Sequence, residues 1–286
     1  MDNEFPKQNT GLIDTPPSAT DWIAGAIPYE LRNPTGDWRP YLPMNEKQKD
    51  PTETMGCVSF SANNSLEVQT RHQTGTEVNY SDRFMAKMSG TTKEGNWLSK
   101  VADTVRNVGV VLESVYPKPA NYSWETYYSE VPQDIIAKAI KLDVMYEFLP
   151  IRQTPLDKGT LSYHLKHAPL QVAIPAPHPN HAVLLVHLEN ETAYYFDTYD
   201  PFLKTTHYSS ITSALKYVLT IKKNNMFLAN DKGTVYVITG NRDKRKIGLD
   251  SLASLGLFGD EPQIPMDTTG IPNYNTIVGG KTITSK

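Results

Sequence analysis

Cys57 is the only cysteine in a chain of 286 residues. That excludes an internal disulfide and a cysteine-clustered metal site as reasons for the residue. Two remain: a small buried apolar side chain, or a reactive thiol. A thiol attacks at neutral pH only where a helix N-terminus or an imidazolium favours its thiolate. Cys57 follows the turn-rich run Asp50-Pro51-Thr52-Glu53-Thr54-Met55-Gly56 and opens a stretch to Arg71 that has no proline or glycine. The spacing predicts a helix starting at the sulfur, with first-turn N–H groups able to stabilise a thiolate or to face a developing oxyanion.

His181 leads the apolar run Ala182-Val183-Leu184-Leu185-Val186, the pattern of a strand in a dry environment, where a histidine ordinarily only packs. The next strand sets it apart from His72, His164, His167, His178, His187 and His207. Asn180–Glu189 and Thr192–Thr198 are joined by a turn near Asn190 and can pair as a hairpin, returning Asp197 toward His181. A carboxylate accepting from one ring nitrogen fixes the tautomer and leaves the other nitrogen for Cys57.

The elements that must position these three groups are mixed in type. Residues 1–20 are polar and proline-rich and read as an extended arm. Trp22, Tyr29, Trp38 and Tyr41 then anchor a coil on a core. Helices are expected at Cys57–Arg71, at Trp97–Val108 with Trp97, Val101, Val105 and Val108 on one face, and at Pro132–Glu147, with another at Ser210–Leu219. Strands are expected at Pro169–Pro175, His181–Glu189, Thr192–Asp197 and Gly233–Thr239. The class is α+β: a helical front lobe at about 57–150 and a β lobe at about 165–240 that takes in part of 21–50, together one catalytic domain over 21–240. Residues 241–286 form a tail in which Leu249, Leu252, Leu255 and Leu257 suit a short amphipathic helix, packed on its own domain or docking a protein partner.

Composition narrows the partners. With 28 Lys plus Arg against 31 Asp plus Glu the formal charge is -3, so no long-range field draws the chain to nucleic acid or an anionic membrane. No apolar run approaches a membrane span, the N-terminus lacks the features of a secretory signal, and a free cysteine suits a reducing, cytoplasmic setting. His164-Leu165-Lys166-His167 and His178-Pro179-Asn180-His181 lack carboxylate or thiolate partners at ligand spacing, and no phosphate-binding glycine loop occurs. Neither metal nor cofactor is expected.

In order and spacing these residues resemble the papain-like cysteine peptidases over roughly residues 20–240. Cys57-Val58-Ser59-Phe60-Ser61 is similar to the family's Cys-Trp-Ala-Phe-Ser, and Asn79-Tyr80-Ser81-Asp82-Arg83-Phe84 to its Leu-Ser-Glu-Gln-Glu-Leu turn and helix. Glu94-Gly95-Asn96-Trp97 falls where the family has a Gly-Gly substrate-binding strand, and Gly109-Val110-Val111-Leu112-Glu113-Ser114-Val115-Tyr116-Pro117 resembles the family's next segment. Asn180-His181-Ala182-Val183 matches Asp/Asn-His-Ala-Val, Phe196-Asp197-Thr198-Tyr199 falls at Lys-Asn-Ser-Trp-Gly, and Asp21-Trp22 resembles the start of mature members.

The resemblance implies a two-lobed fold with a helical front lobe, an antiparallel β-barrel-like rear lobe and a cleft between them. It implies Cys57 as nucleophile, His181 as general acid and base, Asp197 as orienter, and Gly95 and Asn96 pairing with a peptide substrate's backbone, with Gly56 and Asn180 beside them. The family's oxyanion glutamine, six residues before the cysteine, falls on Pro51 here, and Gln48 fills the role if the loop is three residues longer. The family's disulfide cysteines and its large inhibitory propeptide have no counterpart, and aspartate stands where the family has asparagine.

Two other readings share some of these residues. Gly56-Cys57-Val58-Ser59 and His181-Ala182-Val183-Leu184 superficially resemble a cell-wall amidase of the NlpC kind, but the 124 residues between Cys57 and His181 (181 − 57) exceed what that smaller fold uses. The alternative from a different class is a papain-like scaffold without catalysis, acting as a structural or interaction protein.

Overall fold

The structure, a computed structural model, describes residues 11–13, 31–142, 144–149, 156–175 and 180–220, and further on the strands at 227–231, 234–238, 244–247, 264–265, 274–278 and 281–284. The chain divides into two compact units, Met1–Ile221 and Lys222–Lys286. The sequence reading carried the catalytic domain to residue 240, whereas the unit holding Cys57, His181 and Asp197 closes at Ile221.

In the first unit the helices are α1 (Cys57–Thr74), α2 (Asp82–Met88), α3 (Leu98–Asn107), α4 (Trp124–Tyr127), α5 (Gln133–Ile136) and α6 (Lys158–Leu165). The strands are β1 (Val144–Phe148), β2 (Leu170–Ile174), β3 (His181–Glu189), β4 (Thr192–Phe196), β5 (Leu203–His207) and β6 (Ser213–Leu219). They form one antiparallel sheet in the order β1-β6-β2-β3-β4-β5.

The central element is α1, buried without a break from Cys57 to Thr70. Because it is enclosed on every side, its polar side chains must find partners inside the protein. Gln171 on β2 donates to Val58 O at 2.7 Å and Ser61 Oγ at 2.8 Å, and the Leu219 N–H of β6 donates to Gln69 Oε1 at 3.0 Å. These bonds hold the helix at a set height on the sheet, so the sulfur at its first position is fixed lengthwise. The helix ends at Gly75, whose φ of 74° lets its N–H close on Arg71 O, a left-handed cap open to glycine at little cost. Val101 and Val105 of α3 pack into the same apolar cluster as Cys57, Leu66 and Ala182, while Trp38, Leu161, Leu165 and the inner residues of β2–β4 form a second cluster.

Three expectations are corrected. The sheet is open rather than barrel-like: closure would require β1 to pair with β5, and β1 instead lies against α3 while β5 alternates between exposed and half-exposed residues. Pro132–Glu147 is not one helix. A single turn forms at Gln133–Ile136, Ile140 bridges to Val110, and Val144–Phe148 joins the sheet. Gly109, at φ 98°, makes this approach possible, since a Cβ there would stand 2.4 Å from Ile140 O. Ser210–Leu219 is likewise a strand over Ser213–Leu219. Its Lys216 lies opposite Glu147 in register and forms a fully buried ion pair with it, accepted on the other side by His164 Nδ1 at 3.0 Å. Sheet pairing, on one flank of β1 and on both flanks of β6, outweighed the helical preference of the two segments.

The second unit is also a sheet: β7 (Phe227–Asp231), β8 (Thr234–Ile238), β9 (Lys244–Ile247), β10 (Ile264–Pro265), β11 (Tyr274–Val278) and β12 (Lys281–Thr284), in the order β10-β7-β8-β9-β11-β12. The strand expected at Gly233–Thr239 is β8. The helix suggested by Leu249–Leu257 lies outside the described residues. No described helix is long and apolar enough to cross a membrane.

Candidate active site

His181 and Asp197 meet through the hairpin. His181 Nε2 lies 2.6 Å from Asp197 Oδ1, with both side chains sealed from solvent. Asn190, at φ 53°, turns the chain between β3 and β4. A register shift between Leu185 and His187 then sets Leu184 opposite Phe196. Counting back from that pair, His181 falls opposite Tyr199 and shares a face with Asp197; in an unshifted ladder Thr198 and Asp200 would occupy that face instead. The rings of His181 and Tyr199 are 5.4 Å apart.

Asp197 is used on both oxygens. Oδ1 also accepts the N–H of Thr198 at 2.6 Å, and Oδ2 accepts Lys204 Nζ of β5 at 2.7 Å. Burial alone would raise the carboxyl, but hydrogen bonds and charge from His181 and Lys204 outweigh it and hold Asp197 below the usual carboxylate range.

Cys57 occupies the first position of α1 behind Gly56, which caps the helix with no side-chain bond. A Cβ on Gly56 would stand 3.0 Å from Thr54 Oγ1 and 3.2 Å from the Phe60 ring, so packing already accounts for the glycine. The backbone amides of Ala182, the residue after His181, and of Val58 act to lower the thiol. It is fully buried, and burial pushes the thiol well up from its ordinary range, with Glu53 and Asp197 adding to the rise. The sequence pointed to a helix N-terminus and an imidazolium favouring the thiolate; in this structure desolvation wins.

Gln48 sits beside the orienting residue. It is buried, accepts Thr198 Oγ1 at 3.1 Å, and donates to Glu53 Oε1 at 2.6 Å and Tyr199 Oη at 3.1 Å. With those two amide bonds made, an oxyanion must displace one of them to be stabilised by Gln48. Glu53 organises this loop: Oε1 also accepts the Met55 N–H at 2.9 Å and Oε2 accepts Tyr199 Oη at 2.5 Å. Glu53, Tyr199 and Lys204 were not singled out from the sequence. Glu53 lies in the turn run before the cysteine, a position that signals a loop but not its partners. Nothing local marks Lys204, whose part depends on β5 pairing with β4.

Gly95, Asn96 and Asn180 lie together, and a strand already pairs with them. Asn96 N–H donates to Gly11 O at 2.6 Å, Ile13 N–H to Asn96 O at 2.8 Å, and Leu12 N–H to Asn180 O at 3.0 Å. Leu12 and Asn96 form a parallel bridge, and Leu12 is buried in the cluster that contains Cys57. The Asn96 side chain faces the other way, into Ser89 and Thr91, and shapes the loop.

Sequence comparison finds no matching family model and no matching curated protein. Comparison of structures finds cysteine proteases. Digestive procathepsin L 3 of the Tenebrio molitor larval midgut is 17% identical with a TM-score of 0.50, the match covering 74% of this chain and 75% of that one. The L2 procathepsin of the same midgut is 16% identical with a TM-score of 0.51, covering 75% of this chain and 78% of that one. The Carica candamarcensis cysteine protease CMS1MS2, solved in complex with E-64, is 14% identical with a TM-score of 0.50, covering 64% of this chain and 96% of that one. The Cys57, His181 and Asp197 positions are thus carried by a papain-like two-lobed fold with an open β lobe.

Proposed function

We propose that the chain is a cysteine-type endopeptidase that cleaves proteins or peptides through Cys57, His181 and Asp197 and a covalent acyl-enzyme. The observation that carries this reading is the sealed 2.6 Å contact between His181 Nε2 and Asp197 Oδ1, at the end of β3 whose next residue, Ala182, is buried in the same apolar cluster as Cys57.

The carboxylate holds Nε2, so Nδ1 is the nitrogen that exchanges protons. It takes the thiol proton, and the sulfur bonds to the substrate carbonyl carbon while the C=O electron pair moves to oxygen. The Cys57 N–H, which as the first residue of α1 has no acceptor within the helix, faces that oxygen, joined by Gln48 once its amide leaves Glu53. Collapse of the intermediate breaks the C–N bond as the imidazolium passes its proton to the departing amine. Water then attacks the thioester with His181 as base, releasing the acid and regenerating the thiol. The backbone of Gly95–Asn96 and Asn180 binds the substrate as an added strand, a mode with little sequence preference. No metal, cofactor, nucleic acid or membrane enters this chemistry, the free thiol suits a reducing, cytoplasmic compartment, and a protein partner is left to residues 241–286.

The test is cleavage profiling on a diverse peptide library, wild type beside Cys57→Ala, with and without chelator. Cleavage lost only in Cys57→Ala supports the reading, and a chelator that abolishes it overturns the metal-free step. The sealed thiol and the commitment of Gln48 to Glu53 favour a second reading, a scaffold without catalysis. A sulfur that resists alkylation in every variant, with no peptide cleaved, would select it.

A further inference from the structure

The loop that leads into α1 has no covalent link to the rest of the lobe, since Cys57 is the only cysteine, and Gly56 caps the helix with no side-chain bond. It nonetheless makes an unfavourable turn. Met55, two residues before Cys57, has a left-handed backbone at φ 56°, which a residue with a side chain keeps only where its surroundings impose it. Glu53 and Gln48 hold the loop on one side, and aromatic hydroxyls from the segment of α4 hold it on the other. Tyr128 Oη donates to Thr54 O at 2.6 Å. Tyr122 Oη donates to Thr52 O at 3.0 Å, and Thr52 Oγ1 returns a bond to Tyr122 O at 2.9 Å. Thr54, buried, donates in turn from Oγ1 to Gln48 O at 3.1 Å. Three residues ahead of the sulfur, Thr54 is thereby tied to Tyr128 through its carbonyl and to Gln48 through its hydroxyl.

The tyrosine donor stands on a firm base. Ser123 Oγ caps α4 by accepting the Thr126 N–H at 3.2 Å, and Arg83 of α2 donates to Thr126 O and Tyr127 O, both at 2.8 Å. The rings of Tyr122 and Tyr128 each lie 5.0 Å from that of Tyr127, and Tyr122 and Tyr127 pack with Ala86 of α2. Tyr128 is thus fixed to the body of the helical lobe rather than to the loop it holds. We propose that Tyr128 is a positioning residue: through Thr54 its hydroxyl sets the spacing between the Cys57 N–H and the Gln48 amide, the two donors that the proposed function turns toward the oxyanion. The inference rests on the peptidase reading for what is spaced, though not for the tether itself. A misplaced donor loses its worth in the transition state, while ground-state binding along Gly95–Asn96 is untouched. Burial raises the Tyr128 hydroxyl well above its ordinary range, so it remains a donor at neutral and mildly alkaline pH.

The experiment uses the full chain. Tyr128→Phe removes the hydroxyl and keeps the ring, and Thr54→Val cuts the link to Gln48. Tyr127→Phe is the control, since Tyr127 Oη is buried without a hydrogen-bond partner among the described residues. Steady-state kinetics on a cleaved peptide are read beside thermal melting and backbone amide exchange over residues 52–58. In Tyr128→Phe and Thr54→Val kcat should fall at least about ten-fold with KM within about two-fold, and the loss should shrink where Gln48 is already alanine. Tyr127→Phe should show no such loss. An unchanged kcat in folded Tyr128→Phe, or a loss undiminished in the Gln48→Ala background, overturns the proposal. Amide exchange should be at least about ten-fold faster in Tyr128→Phe, and an unchanged rate overturns the tether itself. Faster exchange with no peptide cleaved by the wild type leaves the tether standing and removes the peptidase reading.

Discussion

Lys204 Nζ sits 2.7 Å from Asp197 Oδ2, on the opposite carboxylate oxygen from His181. The carboxylate is shared by an imidazole and an ammonium, so its charge is already partly offset before the imidazole takes a proton. Asparagine at this position carries no charge; here aspartate and lysine together approximate that balance. Tyr199 packs on the imidazole, and Glu53 is the other carboxylate of the loop.

Removing the ammonium leaves the Asp197 charge bare and favours the imidazolium. Lys204→Met should therefore move the alkaline limb of kcat/KM to higher pH, by up to about one unit, while Lys204→Arg restores it. Asp197→Asn should move the same limb down, because the ammonium then faces the imidazolium unopposed. A limb that stays in place in Lys204→Met would show that the lysine only packs.

Cys57→Ala and His181→Ala should each lower turnover by at least about a thousand-fold, since members of such a unit fail together. The sharper comparison is the rate at which iodoacetamide alkylates Cys57. His181→Ala should slow it near neutral pH, and equal rates with and without the imidazole would mean that no proton passes between the two groups.

Glu53 holds three donors: the Gln48 amide, the Met55 N–H and the Tyr199 hydroxyl. Glu53→Ala should cost about 2–4 kcal/mol, read as a lowered urea midpoint. Gln48→Ala separates anchoring from catalysis. A fall of about a hundred-fold in kcat at constant KM marks a transition-state donor, whereas a stability loss with kcat intact marks an anchor.

Four carboxylates, Glu46, Glu67, Asp82 and Glu113, lie near one another, with Arg83 and Lys118 lining the same cavity as Glu46, Asp82 and Glu113. Burial raises Glu67 and Asp82 well above the usual range and Glu113 to about 7. The folded state therefore holds more protons than the unfolded chain between the ordinary carboxylate range and about pH 7, and stability falls as pH rises through that window. Urea midpoints should be higher at pH 5 than at pH 8. Glu113→Gln should shrink the difference by about 2 kcal/mol, once its partial exposure is allowed for. Equal midpoints for the wild type at the two pH values would rule out the linkage.

Much of this was readable along the chain because local chemistry acts over short spans. The turn run ending in Met55-Gly56 and leading into an uninterrupted helix placed Cys57 at the start of α1, and Asn190 between two β-rich runs announced the hairpin that returns Asp197 to His181. The order and spacing of those motifs also pointed to the fold.

Long-range pairing settled the rest. Pro132–Glu147 and Ser210–Leu219 carry helical stripes, yet each supplies a strand because Glu147 and Lys216 face each other in a ladder that neither segment can foresee alone. The one-residue shift between Leu185 and His187 is not signalled by any residue type, though it decides that Asp197 rather than Thr198 shares a face with His181. Lys204 reaches the carboxylate through a second pairing, and Gly11 meets Met55 and Gly95 across more than forty residues. Composition and period record what a residue prefers among its neighbours in the chain. Register and burial depend on which distant backbone arrives beside it, and only folding brings that about.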